Sequence, residues 1–425
     1  MDIKEINRAA GPIDGTVRPP GSKSITNRVL LLAALADGRS VIKSPSPGDD
    51  AERMLGALKA LGFRVEVDRP AGSVVVQGLG GIVPARGAAL DVGGAGTAMR
   101  FLAAFVTLGT GRFRLDGDAR MRQRPVEGLL AGLRQLGVSA RSESGNGCPP
   151  VMIEVAERPT GGPITLAASL SSQFASALLM PAPYWERGVE LELVRPVGRP
   201  FIEMTLRLME RWGVKSRAQG AAIRVAGGQR YRCRHWVVEP DASAASYFAA
   251  AAALLGGSVT ITGLGRPSLQ GDAKFFGVLE AMGAAVKWRE DAVRVTGSGR
   301  LAGVDVDLAE MPDMVATLAV LAPFADSPTR IRGVGFVRHH ESDRLSALAT
   351  ELGRLGAQVE ELDDGLAVEP SRLHGGVVET YNDHRIAMAF AVAGLKVGGV
   401  QLKNPGCVGK TYPGFFADLA RVVAC

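Results

Sequence analysis

Aromatic residues make up only 5% of this 425-residue chain, and its four cysteines, Cys148, Cys233, Cys407 and Cys425, lie far apart with no C-x-x-C pair. The first scarcity argues against a base-stacking surface for nucleic acid. The second removes a zinc cage and a thioredoxin-type motif, and the cysteines read as reduced thiols. Among the five histidines, His235, His339, His340, His374 and His384, no H-x-x-x-H pair shares a helix face, so no metal is expected. The longest unbroken apolar run, Tyr247 to Leu255, has nine residues, less than half of the roughly 20 that a bilayer span needs. No membrane partner is expected. Met1 to Glu5 shows no basic stretch followed by an apolar one, so no secretory signal is readable and a cytoplasmic location is the expectation. Two nucleotide loops are also missing. Lys23 does not directly follow Gly21, as a Walker A loop requires, and Gly93-Gly94-Ala95-Gly96-Thr97 lacks the third spaced glycine of a dinucleotide fingerprint. That second stretch reads as a phosphate-binding turn.

What remains is an ordinary globular composition, with 46% hydrophobic residues, 22% charged residues and 54 glycines. The length suggests two or three domains burying about 75% of the unfolded chain's surface. The net charge of +6 favours anionic partners but is small for the length, so small phosphorylated substrates fit as well as nucleic acid.

A repeat organises the chain. Helix-like segments end at Leu61-Gly62, Leu136-Gly137, Trp212-Gly213, Met282-Gly283 and Leu355-Gly356, with glycine spacings of 75, 76, 70 and 73. Glycine suits the left-handed residue just past a helix end. Upstream of each glycine stand a strand-like stretch (Ser40–Ile42, Arg112–Leu115, Val189–Leu193, Ser258–Ile261, Thr329–Ile331) and, before it, a first helix. Val400–Leu402 adds a sixth copy, cut short by the end of the chain. The first helices start near Ser24, Gly96, Ser171, Asp241, Asp313 and Asn382, each at a small or polar residue suited to capping, and run on into apolar sequence that predicts burial. A helix, strand, helix, strand unit of about 73 residues exceeds the usual solenoid periods. It predicts an α/β fold of two domains, three units each, with a boundary near Tyr231 to Pro240.

The helix starts carry the chemistry. Lys23, Ser24 and Arg28; Gly96, Thr97 and Arg100; Ser171, Ser172 and Gln173; Asp313; and Asp383, His384 and Arg385 crowd the first helices, while Arg120, Arg122 and Arg124 precede Pro125 at an expected first helical position. Glu341 and Arg344 flank Ser342-Asp343, and Lys410 precedes Thr411-Tyr412-Pro413. Cations at helix N-termini oppose the macrodipole, at about 0.3 to 1 kcal/mol each. Stability therefore does not explain them, whereas a bound phosphate or carboxylate does. Asp313, Glu341, His384 and Lys23 are the candidate acids and bases. For Asp313 and Asp383 taken alone, capping is the simpler role.

Gly21-Ser22-Lys23-Ser24, Gly96-Thr97-Ala98-Met99-Arg100, Ser171-Ser172-Gln173-Phe174, Asp241-Ala242-Ser243, Glu341-Ser342-Asp343-Arg344-Leu345 and Tyr381-Asn382-Asp383-His384-Arg385 resemble, in order and spacing, the motifs of the 5-enolpyruvylshikimate-3-phosphate synthase family. The resemblance covers nearly the whole chain. It implies an inside-out α/β barrel of two domains, each with three βαβαββ units, closing around substrate, with residues 1–20 joining 240–425 and residues 21–239 forming the other domain. It also implies transfer of the enolpyruvyl group of phosphoenolpyruvate to the 5-hydroxyl of shikimate 3-phosphate by addition and elimination, with no cofactor and no metal. Lys23, Gly96, Arg124, Gln173, Arg344, Arg385 and Lys410 would hold phosphoenolpyruvate. Lys23, Ser24, Arg28, Thr97, Ser171, Ser172, Gln173 and Asp313 would hold shikimate 3-phosphate. Glu341 and Asp313 would serve as acid and base, with Lys23 and His384 assisting. A monomer acting on these two small anions, without nucleic acid, is the expectation.

Five positions depart from residues common in that family: Gly94, Gly198, Phe201, Phe336 and His340. Gly94, Gly198, Phe201 and Phe336 each stand in place of a polar side chain, and His340 in place of a lysine makes one cation dependent on pH, with Arg199 and His340 as the candidates to compensate. If His340 supplies charge, acceptor binding should weaken as pH rises from about 6 to 8. Two neighbouring families fit less well. UDP-N-acetylglucosamine enolpyruvyl transferases usually carry Lys-Asn near the start and a loop cysteine, but here Ser24 follows Lys23 and Arg112 to Arg124 holds no cysteine. RNA 3'-phosphate cyclase-like proteins share related units, but the aromatics are few and no extended basic run is present. A relative repurposed for another phosphorylated cyclitol, or one that only binds anions, is the remaining alternative.

Overall fold

The computed structural model describes residues 2–423, so Cys425 lies outside the described residues. The chain divides into two compact units, Met1–Pro20 with Glu239–Cys425, and Gly21–Val238.

The five glycines that punctuate the repeat all lie past helix ends with φ between +80° and +102°. The helices they end are Asp49–Ala60, Glu127–Gln135, Arg199–Arg211, Phe275–Ala281 and Arg344–Arg354. In each, the glycine N–H donates to the carbonyl three residues back and the next residue's N–H to the carbonyl five back, as in Gly62 to Lys59 and Phe63 to Leu58. This double bond pattern satisfies carbonyls the helix leaves open and requires the left-handed residue that glycine adopts without a Cβ clash. The preceding side chains Leu61, Leu136, Trp212, Met282 and Leu355 are all buried, which fixes each helix end against its sheet.

Among the described residues six small sheets follow from the repeat, five of four strands and one of three. The unit from Gly87 to Val155 shows the pattern whole: Gly87–Asp91 and Gly111–Asp116 run parallel with the helix Gly96–Phe105 between them, and Ser139–Ser142 and Val151–Val155 complete the sheet as an antiparallel hairpin. The predicted strands all fall inside observed ones, for example Val189–Val194 and Gly257–Thr262.

Three sheets are closed by strands distant in sequence. His235–Val237 pairs in parallel with Asp37–Lys43, and Ile13–Val17 with Gly257–Thr262. Ile3–Ile6 pairs antiparallel with Val400–Lys403, so the copy expected to be cut short is supplied with a strand from the other end of the chain. Each unit is thus closed on itself.

The first helices form the cores. In Gly21–Val238 they are Lys23–Leu35, Gly96–Phe105 and Gln173–Leu179, buried over almost their whole lengths. In the other unit Ala242–Leu255, Val315–Leu321 and His384–Val397 pack against one another, and the alanine run Ala249–Ala253 lets their backbones approach. Helices apolar on every side belong inside a core. The strands alternate instead, as in Gly162–Ala167 with every second residue exposed, so the sheets lie outside. Arg124-Pro125 departs from expectation: the helix begins at Glu127 with Val126 as its cap, leaving Pro125 outside it. Val126 occupies a non-helical conformation that Pro125 does not fix.

Candidate active site

In the unit Gly21–Val238, Ser22 caps the first helix by accepting from the Ile25 N–H, which sets Lys23 at its first position. The Lys23 ammonium lies 3.5 Å from the Asp50 carboxylate, with both side chains largely buried. The helix starts at Gly96 and Gln173 meet where Gln173 Nε2 lies 3.5 Å from Thr97 Oγ1. Ser171 Oγ accepts the Gln173 N–H at 3.2 Å, and Ser172 stands beside Gly198.

Two guanidinium groups lie over Gly96. A Cβ there would fall 2.6 Å from Arg124 Nη1 and 2.8 Å from Arg100 Nη1. Arg100 is held by the carbonyls of Gly96 and Pro125. The glycine is required by close approach and not by backbone conformation, so Gly96→Ala should leave the unit folded while pushing the flexible arginine ends aside. Where this turn holds phosphoenolpyruvate, as the family resemblance implies, KM for that substrate should rise about tenfold with a smaller change for the acceptor, measured by steady-state kinetics.

Arg28 sits differently from expectation. It is fully buried, with its guanidinium donating to Thr205 Oγ1 at 2.7 Å, the Ser24 carbonyl at 2.8 Å, and more weakly to Ser176 Oγ and the Phe201 carbonyl. Burial pulls its pKa down to about 9, which still leaves it charged at neutral pH. Arg199 is exposed and donates to the Gly220 carbonyl.

The second cluster lies in the unit of residues 1–20 and 239–425. Arg344, 1% exposed, donates from Nε to Asp383 at 2.8 Å, from Nη2 to Glu341 at 2.8 Å and from Nη1 to Asp313 at 2.7 Å. The second Asp313 oxygen pairs with Arg385. Burial opposes the Arg344 charge, but Asp383, Glu341 and Asp313 outweigh it and hold the pKa above the usual arginine value. Asp383 is held low because Arg344 and His384 offset its burial. It also caps the helix His384–Val397 through the Arg385 N–H, so capping and ion pairing are both its work.

His384 is wholly buried, 3.5 Å from Asp383, inside the unit and away from solvent. His340 Nδ1 lies 3.2 Å from Arg344 Nη1. Arginine can only donate, so in this contact Nδ1 is the accepting atom. Lys410 ends the 3-10 turn Pro405–Lys410.

Asp272 was not foreseen in sequence. It accepts from Ser243 Oγ, and burial together with the nearby Asp313 charge raises its pKa to about 7. Nothing in its surroundings in sequence marks it, because its burial depends on helices far along the chain. Its unfolded carboxyl loses its proton near pH 4 while the folded one keeps it to about 7, so stability falls across that window. Asp272→Asn should therefore raise the unfolding free energy at pH 8 by on the order of 2 to 4 kcal/mol. The gain should vanish toward pH 4, as thermal melts across that range would show.

Among the described residues no group of three or more His, Cys, Asp or Glu could hold a metal ion, and no helix is long and apolar enough to cross a membrane.

Arg28, Arg100, Arg344 and Arg385, all buried near the starts of their helices, in an α/β fold of small mixed sheets, are the features of a class of protein that can bind small anions. Residues 7–419 match the family model of EPSP synthase (3-phosphoshikimate 1-carboxyvinyltransferase), and the chain belongs to that family of transferases. It is 43% identical over the whole length of both chains to the 3-phosphoshikimate 1-carboxyvinyltransferase of Trichormus variabilis. It is 46% identical to the chloroplastic enzyme of Solanum lycopersicum, over 96% of this chain and 82% of that one. The solved EPSP synthase of Acinetobacter baumannii superposes with a TM-score of 0.83 at 27% identity, covering 99% of this chain and 98% of that one.

Proposed function

We propose that this chain transfers the enolpyruvyl group of phosphoenolpyruvate to the 5-hydroxyl of shikimate 3-phosphate, releasing phosphate, as a step of aromatic amino acid biosynthesis. The carrying observation is the Asp313 carboxylate held between Arg344 and Arg385, within a chain that matches the family from residue 7 to 419. The two arginines already grip an anion. When phosphoenolpyruvate takes them, with Lys23, Arg124, Gln173, Lys410 and the Gly96 N–H, Asp313 is released to act as a base.

Asp313 then takes the 5-hydroxyl proton as that oxygen bonds to C2 of phosphoenolpyruvate, and Glu341 protonates the methylene carbon to give a tetrahedral intermediate. Loss of a methyl proton to Glu341, by then a carboxylate, and departure of phosphate, which takes up the proton held by Asp313, form the enol ether. Lys23 offsets the charge of the leaving phosphate. Ser24, Thr97, Ser171, Ser172 and Gln173 orient the acceptor, and Arg28 joins them by exchanging the Ser24 and Phe201 carbonyls for the acceptor carboxylate. Two multiply charged anions repel, so several cations are needed to bring them together. The chemistry requires no nucleic acid or membrane partner, and a cytoplasmic monomer satisfies it.

Phosphate release measured with each substrate alone and with both together tests the reading. Release only with both supports it. Absence of turnover, or turnover with another phosphorylated cyclitol in place of shikimate 3-phosphate, would overturn the acceptor assignment.

A further inference from the structure

Glu351 is a carboxylate with no accessible surface, on the helix Arg344–Arg354 two turns below Arg344. Acids are seldom so deep unless their oxygens are engaged. Its Oε2 accepts the Glu379 backbone N–H at 3.1 Å, and its Oε1 accepts the Tyr381 hydroxyl at 2.7 Å and Arg354 Nη1 at 2.6 Å. Two of these donors belong to the turn that leads into Asp383.

That turn is strained. Tyr381 and Asn382 have φ of +54° and +53°, two successive non-glycine residues in the left-handed region, which persists only where neighbours over-determine it. Thr380 Oγ1 donates to the Lys403 carbonyl at 2.8 Å, Asn404 Nδ2 donates to Asn382 Oδ1 at 3.0 Å, and the Asp383 N–H returns to the Thr380 carbonyl. Directly after it come Asp383, which holds Arg344, and Arg385, which holds Asp313. The helix that presents Arg344 at its first turn therefore also anchors, through Glu351, the turn that presents Arg344's partner.

We propose that Glu351 is a positioning residue for the reaction: by accepting from Tyr381 and Glu379 it fixes the strained turn, and with it the placement of Asp383 and Arg385 against Arg344 and Asp313. The charge matters because three donors converge on it. A glutamine has one acceptor oxygen and would aim an amide N–H at a donor.

The test compares Glu351→Gln, Tyr381→Phe, the double variant and Arg354→Ala, which removes only the outer contact. The kinetic arm rests on the enolpyruvyl-transfer reading; amide hydrogen exchange of residues 379–385 in the unliganded protein does not. Glu351→Gln and Tyr381→Phe should each raise KM for phosphoenolpyruvate about tenfold while leaving KM for the acceptor within about twofold. Exchange across 379–385 should quicken in both variants with the unfolding midpoint little changed. The double variant should be no worse than the worse single one, since both act through one bond, and Arg354→Ala, which leaves both turn donors in place, should keep KM for phosphoenolpyruvate and exchange across 379–385 near wild type even where the unfolding midpoint falls. Unchanged exchange in that segment would overturn the proposal, as would a lowered midpoint with KM intact. If Glu351→Gln does not fold, Tyr381→Phe decides, because that ring is 37% exposed and loses only a hydroxyl. If wild type itself fails to turn over, the functional reading falls and the exchange arm still judges the turn.

Discussion

Glu341→Ala is expected to abolish phosphate release, with kcat lowered about a thousandfold or more, in a protein whose unfolding midpoint stays near that of wild type. The carboxylate is the proposed acid for the methylene carbon, and losing a positioned proton donor removes roughly two to four orders of magnitude. Its structural share is small, since Arg344 retains Asp313 and Asp383 when Glu341 is gone. Lys23→Met should lose activity to a similar degree for a different reason. It deletes a cation from the first turn of Lys23–Leu35 and leaves Asp50, 2% exposed, without the ammonium at 3.5 Å. Rapid-quench or coupled phosphate assays on both variants measure this, and full activity in Glu341→Ala would remove that residue from the mechanism.

Arg344→Ala should damage the fold itself. The side chain joins Asp383, Glu341 and Asp313, and Asp383 has no solvent exposure. Removing the arginine leaves buried like charges uncompensated, which costs about 3 to 5 kcal/mol. For a unit of this size that lowers the midpoint by roughly 10 °C. Arg344→Lys restores a charge but not three differently directed donors. It should recover part of the stability and almost none of the turnover. Circular dichroism melts beside kinetics separate these effects. A midpoint unchanged in Arg344→Ala would mean that the carboxylates relax into solvent without it.

The repeat was legible because its cause is local. A glycine must follow each helix that ends in the double-bonded turn, and an apolar run on every face must go inside, whatever the rest of the chain does. Those rules locate Gly62, Gly137, Gly213, Gly283 and Gly356 and the strands after each first helix from local sequence alone. The cations at helix starts were legible for a similar reason, since Lys23, Arg344 and Arg385 stand where the macrodipole argues against them. The directions of side chains were not legible. Arg28 and Arg199 satisfy the same rule, yet one turns inward onto Thr205 and the other onto the Gly220 carbonyl. Nor did sequence show that His340 faces a donor, because that depends on the turn of the Gly335–His339 segment against the helix of Arg344.

By itself the sequence determined six α/β units, their order, the burial of the first helices and the cationic character of their starts, all set by spacing and by which residues tolerate water. Only the tertiary structure decided that Ile3–Ile6 completes the sheet of Val400–Lys403, that Asp313 is shared by two arginines, and that Glu351 reaches Tyr381. Each of these joins residues many positions apart. Such pairing depends on how whole units pack, and a buried charge finds its partner only after that packing excludes water.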